Sequence, residues 1–284
     1  MNRRGSILVA VLLLASLLIV FVGVAGERLR VSSAATRSAA EDIAADVAVR
    51  GAVEQLYARS GGRFSDLVGV AQVTYPGIVV EATARNEGRR VDLNLAAPAL
   101  IAGVFRSVGI DARTAEAHAA VIVDRRRDPA EKRDRRKPPL VPPQGPIEHV
   151  RQLDRLVEIP REALRLVEPF VTVTSLDARI AVMEAPREVV AALPGMDPGR
   201  VEAFLAERRN FEGKFETLMR RYGISTDHVS KDGSTATRLT VTVRIGSHRV
   251  RGYEVVVAVV PGDDEPYRFL SWNGNAIGDG QATR

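Results

Sequence analysis

The sequence predicts an α+β protein in which a long N-terminal helix lies on an antiparallel sheet, with a large helical domain inserted between the sheet's strands. Three observations carry this. Helix-compatible residues run from about Ile7 to Ser60 without a loop signal, alternating apolar strands occupy both ends of the remaining chain, and helical periodicity fills the middle. With 284 residues the chain is long enough to bury a substantial core.

The first element begins with twenty consecutive uncharged residues, Ile7 to Gly26, preceded by Arg3 and Arg4 and followed by Glu27 and Arg28. At about 1.5 Å per helical residue this run spans about 30 Å, the thickness of a bilayer's hydrocarbon core. Residues 6–26 are therefore expected to form one membrane-spanning helix. The basic leader places the N-terminus in the cytoplasm and everything after Arg28 on the far side. A secretory signal cleaved at Val24-Ala25-Gly26 is the alternative, but its apolar region is usually only about 7–15 residues long. Residues 27–60 extend the helix, with Val31, Ala35, Ala39, Ile43 and Val47 spaced by four, then Val53, Leu56 and Tyr57. This stripe predicts a packing face for a neighbouring helix.

The first part of the sheet is expected within 61–97. Ile78 to Arg85 is rich in β-branched residues, Val91, Leu93 and Leu95 alternate with polar residues, and Asn86-Glu87-Gly88 between them reads as a hairpin turn. Residues 98–232 are helical in pattern. Pro98 to Asp124 predicts two helices broken near Gly109-Ile110-Asp111, with Asp111 as N-cap of the second. Ile147 to Leu156 and Pro160 to Val167 read as short helices, Phe170 to Thr174 as a short extended run, and 180–210 as a helix-hairpin-helix-like segment around Leu193-Pro194-Gly195. The second part of the sheet, 233–272, holds alternating Leu239, Val241, Val243 and Ile245, a turn at Gly246-Ser247, an apolar run from Val250 to Val260 suited to a central strand, and a last strand, Tyr267 to Trp272. Residues 273–284 read as a disordered tail.

Charge sharpens this picture. The net charge is +5, which on its own suggests nucleic acid or an anionic membrane as partner. Yet eight basic and three acidic side chains between Arg125 and Lys137 account for the whole surplus, and six of the fifteen prolines cluster with them. Residues 125–146 are thus a solvated basic, proline-rich linker, and the rest of the chain is neutral. With no cysteine, disulfides and thiolate chemistry are excluded. His118, His149, His228 and His248 lie too far apart for a histidine-paired helical metal site. No nucleophile elbow, phosphate loop or dinucleotide glycine triplet occurs. No enzymatic activity and no cofactor are expected.

The leader ending in Gly5, the small Ser6 and the apolar helix that follows resemble the processing site of type IV pilins and type II secretion pseudopilins. The resemblance implies a pilin-like fold, cleavage by a prepilin peptidase between Gly5 and Ser6 (leader 1–5), and methylation of the new N-terminus. Most members carry glutamate at the fifth mature position, which here is Ala10. In that family the intramembrane carboxylate pairs with the N-terminal amine of the subunit ahead, so a subunit without it suits the tip. This is the habit of the type II secretion protein K family. Two further segments carry that resemblance. Ile180-Ala181-Val182-Met183-Glu184-Ala185 ahead of Leu193-Pro194-Gly195 matches a family "INVNTA … LPG" run, with Ala181, Met183 and Glu184 replacing its polar residues. Pro266-Tyr267-Arg268-Phe269-Leu270-Ser271-Trp272 matches a "PYRVLxW"-like end.

The resemblance implies a minor pseudopilin at the pseudopilus tip that helps initiate assembly for protein export. It implies association with the I and J type minor pseudopilins through Val31, Ala35, Ala39, Ile43, Val47, Leu56 and Tyr57, and contact with inner-membrane lipid. The protein is expected as a single-pass inner-membrane protein with its globular domain in the periplasm. Calcium binds in the insertion of some members, but Asp124-Arg125-Arg126-Arg127-Asp128 stands at the family's acidic stretch, and three arginines repel a divalent cation, so no metal is expected. A second reading is a membrane-anchored helix-hairpin-helix DNA-binding protein of a pilus-like uptake system. Asp197, where such hairpins usually carry a second glycine, opposes phosphate and makes nucleic acid an unfavoured partner.

Overall fold

The computed structural model describes residues 36, 38–67, 69–126, 146–157, 159–247, 249–260 and 264–275. The leader, the apolar segment 6–26 and most of the basic linker lie outside them.

Helix α1 (38–59) is rich in alanine and buries Ala45, Ala48, Val49, Ala52, Val53 and Leu56. These positions follow the i, i+3, i+4, i+7 rule of one helix face. Strand β1 (Val70–Tyr75) follows, and then β2 (Ile78–Asn86), antiparallel to it with Tyr75 opposite Ile78. The hairpin turn is therefore Pro76-Gly77, with proline fixing φ at its first corner and Gly77 supplying φ +74° at its second. The expected hairpin at Asn86-Glu87-Gly88 is not formed. Instead the Asn86 side chain accepts from Gly88 N at 2.8 Å and the chain makes a single 3₁₀ turn out of the sheet. Beyond it, β3 (Val91–Asp92) is only two residues long.

The chain then builds a separate helical core. Helices α2 (Pro98–Ser107) and α3 (Ala112–Arg126) are broken at Gly109, and Asp111 Oδ1 accepts from Thr114 N at 3.0 Å as the N-cap. The next elements are α4 (Leu153–Leu156), α5 (Arg161–Val167), β4 (Val171–Thr172), β5 (Ile180–Ala181), α6 (Arg187–Ala191), α7 (Pro198–Arg208), α8 (Phe215–Tyr222) and β6 (Val229–Ser230). Two short parallel pairs, β3 with β4 and β5 with β6, stitch these helices together. Phe105, Ile122, Leu153, Phe204 and Leu218 are fully buried among them. Helices α2 and α6 touch backbone to backbone, since a Cβ on Gly103 would stand 2.1 Å from the Ala192 carbonyl oxygen. Only glycine permits that approach.

The chain re-enters the sheet as β7 (Ala236–Ile245), β8 (Arg249–Ala258) and β9 (Arg268–Asn275). The five-stranded sheet runs β1-β2-β7-β8-β9, antiparallel throughout, so β2 and β7 pair across the whole helical region, from Ile78 opposite Ile245 to Asn86 opposite Thr237. Strand β8 is interior, as its apolar run requires, while the middle position belongs to β7. Residues 273–275, expected in the tail, belong to β9. Helix α1 covers one face of the sheet through Val80, Ala82, Leu239, Val241, Val243, Tyr253 and Val255.

Candidate functional site: the outward face of the first helix

Apolar packing holds α1 on the sheet, and a row of polar contacts fixes how it is turned. Strand periodicity of two puts Arg249, Arg251 and Tyr253 of β8 on the helix side. The helix answers with Glu41, Asp42 and Asp46. Arg249 pairs with Glu41 and donates to Ser38 Oγ at 3.2 Å, and Arg251 pairs with Asp42. The Tyr253 phenol is pushed up to about 12, first by burial and then by its hydrogen bond to Asp46. One turn on, the Arg50 guanidinium lies over the Trp272 ring at 4.7 Å and the Phe269 ring at 5.3 Å, a cation–π contact with β9. Sequence reasoning did not single out these residues. The signal was present in acids at 41, 42 and 46 and cations at 249 and 251, but only the strand register shows that they meet.

With that face turned inward, Ala39, Ile43 and Val47 point to solvent, Ile43 at 66% exposure and Val47 at 62%. Three of the expected packing residues thus share an unpaired outward face. Val31 and Ala35, like Gly5, Ser6 and Ala10, lie outside the described residues. Leu56 requires a correction. Leu56 is 1% exposed in the protein's own core and has no surface to offer another subunit, whereas Tyr57 is half-buried, packed on Phe64 and Tyr267 at ring distances of 5.4 and 5.2 Å. The reason is helical geometry. Leu56 is not in the series spaced by four: nine residues at about 100° each put it about 180° round the helix from Val47, on the buried side with Val49 and Val53.

The helix-hairpin-helix-like segment is shaped by its own polar contacts. Gly195 turns the chain with φ +78°, Asp197 caps α7 by accepting from Arg200 N at 2.9 Å, and Arg200 donates to the Gly195 carbonyl at 2.8 Å. The carboxylate of Asp197 occupies the place at the helix N-terminus where a phosphate would have to bind.

Of the stretch at the expected calcium position, residues 124–126 are described and end α3. Arg126 donates to the Leu93 and Ala96 carbonyls at 3.0 and 2.8 Å, which anchors the end of α3 with a guanidinium. Among the described residues no group of three or more histidine or acidic side chains converges to hold a metal. Among them, too, no helix is long and apolar enough to cross a membrane; the expected span at 6–26 is not one of those residues.

No family model and no curated protein matches the chain. Among solved structures, one chain of the GspK–GspI–GspJ complex from the enterotoxigenic Escherichia coli type 2 secretion system aligns with a TM-score of 0.58. The alignment covers 84% of this chain and 99% of that one at 13% identity. The two share one α+β fold. Since the overlap covers 84% of this chain, the likeness takes in more than half of the helical region between the sheet's strands as well as part of the helix-covered sheet.

Proposed function

We propose that this chain is a minor pseudopilin of the protein K type, an assembly subunit of a type II secretion system and not a catalyst. The observation that carries the reading is the match over 99% of a chain from the GspK–GspI–GspJ complex. The prepilin-like leader at Gly5 and Ser6 and the apolar run that follows it support the same reading. In this reading residues 6–26 anchor the protein in the inner membrane and the folded part stands in the periplasm. The outward row Ala39, Ile43 and Val47 continues the stripe from Val31 and Ala35 and packs against the helices of I and J type partners. Burying exposed Ile and Val is the favourable step of that association.

A tip position fits two features. Ala10 replaces the glutamate that would bind the N-terminus of a subunit ahead, and the helical region between β2 and β7 adds bulk that a further subunit stacked above would have to clear. Pseudopilins stack head to tail, an open geometry that needs a defined end. Mass spectrometry of the protein from membranes tests the reading. A mature chain beginning at methylated Ser6 is expected; retention of Met1, or a start at Glu27, overturns it.

A further inference from the structure

The outward face of α1 is longer than its apolar part. Ala40, Ile43, Val47, Arg50 and Glu54 are all exposed and follow one another in steps of three and four, the spacing by which one helix seats another in left-handed packing. At about 100° per residue, Glu54 lies within about 20° of both Ile43 and Val47 around the helix, and about 10 Å beyond Val47 along it. The seam is therefore apolar as far as Val47 and charged after it.

The two charges at its end differ. Arg50 is turned onto β9, its guanidinium over the Trp272 and Phe269 rings at 4.7 and 5.3 Å. Glu54 makes no hydrogen bond or ion pair with any described residue. Its charge is felt locally: burial, and then the Glu54 carboxylate, hold the Tyr75 and Tyr267 phenols above the ordinary value. No cation nearby is bonded to it. Arg59 donates to the Gln72 carbonyl at 3.2 Å, and the open groove between Glu54 and β9 adds one residue of each sign, Arg268 and Glu265.

A helix that packs along Ala40, Ile43 and Val47 and runs on for two more turns covers Glu54. Covering a carboxylate without a hydrogen-bonded cation is costly, and none of the described residues supplies one. We propose that Glu54 selects the partner: the pseudopilin helix seated on this seam carries a lysine or arginine two turns from the residues that meet Val47, and that cation bonds the Glu54 carboxylate. This rests on the pseudopilin reading above and adds a charge requirement to it. Apolar packing supplies affinity along the first part of the seam, and the charge at its end fixes the register and rejects a helix with an acid at that place.

Titration of purified I and J type pseudopilins onto the full-length protein in detergent, at low and at high salt, tests this. At least one of them is expected to bind, about tenfold more weakly to Glu54→Lys than to the parent, the effect of one charge-assisted bond. Added salt should weaken the parent's binding and change that of Glu54→Gln little. A parent that binds neither partner overturns the pseudopilin reading and the proposal with it. A parent that binds while Glu54→Lys binds equally, or while Glu54→Gln keeps the parent's salt dependence, overturns the proposal alone. Glu54 is exposed and unbonded, so its substitution leaves the fold intact.

Discussion

Glu87 and Arg238, 151 residues apart, form a buried bidentate pair at the place where the chain leaves the sheet. Arg238 donates through Nε to Glu87 Oε2 at 2.7 Å and through Nη2 to Oε1, and Thr172 of β4 donates its hydroxyl to the same carboxylate. The carboxylate is 1% exposed. One residue thus joins the 3₁₀ turn after β2, the returning strand β7 and the helical region's β4. Asn86 adds a second tie, accepting from Ser234 N at 3.0 Å and donating to the Ser234 carbonyl at 3.0 Å.

Removing one partner leaves the other charge buried. Glu87→Gln is expected to destabilise the protein by about 3–5 kcal/mol, whereas the double change Glu87→Leu with Arg238→Met recovers much of that loss. Urea unfolding of the full-length protein in detergent measures both. A single variant as stable as the parent would show that the pair does not hold the junction.

The same pair sets an acid limit. Burial pushes the Glu87 carboxyl up, but the bonds from Arg238 and Thr172 outweigh it and hold the folded pKa below the ordinary carboxylate value. The folded state therefore binds the proton less readily than the unfolded state. The stabilisation is complete above the unfolded value of about 4.3 and is lost as pH falls through the folded one. Unfolding scans below about pH 5 are expected to show a steeper acid loss for the parent than for Glu87→Gln.

Tyr253 works at the alkaline end. Its phenol, at about 12 in the folded protein, ionises earlier in the unfolded chain, where the ordinary value is about 10. Stability contributed by the neutral phenol is present below about pH 10 and lost as pH rises toward the folded value. Tyrosinate absorbance should show a group titrating at about 12, and Asp46→Asn should bring it down. An unchanged titration curve in that variant would remove Asp46 as a cause.

The two sides of α1 should separate stability from assembly. Leu56→Ala is expected to cost about 2–5 kcal/mol of folding stability. Ile43→Asp and Val47→Asp, on the exposed side, should stay within about 0.5 kcal/mol of the parent yet abolish co-purification with I and J type pseudopilins. Retained co-purification with both aspartates present would move the contact elsewhere.

Much of the architecture was legible in the sequence because it rests on local chemistry. The break at Gly109, the Asp111 cap, the alternation in β7 and the apolar run of β8 depend on neighbours within a few residues. Beyond the two-residue strands β5 and β6, two longer elements were missed for different reasons. Strand β1 (VAQVTY) has weak alternation, and its true turn, Pro76-Gly77, competed with Asn86-Glu87-Gly88 as a hairpin signal. Helix α8 is short, though Arg220 and Arg221 in its last turn and Gly223 at φ +64° mark its end in the usual way.

By itself, the sequence determined the elements whose periodicity repeats over several turns or strand pairs and the concentration of net charge between Arg125 and Lys137, and it carries the expectation of processing after Gly5. Tertiary structure alone decided the rest: that Leu56 faces inward while Ile43 and Val47 face out, that β3 pairs with β4 instead of β2, and that Glu87 meets Arg238. Each of these depends on side chains far apart in the chain. A two-residue strand has no period to read, a helical stripe has no inside until a sheet covers one side, and a buried charge finds its partner only when the fold brings it within bonding distance.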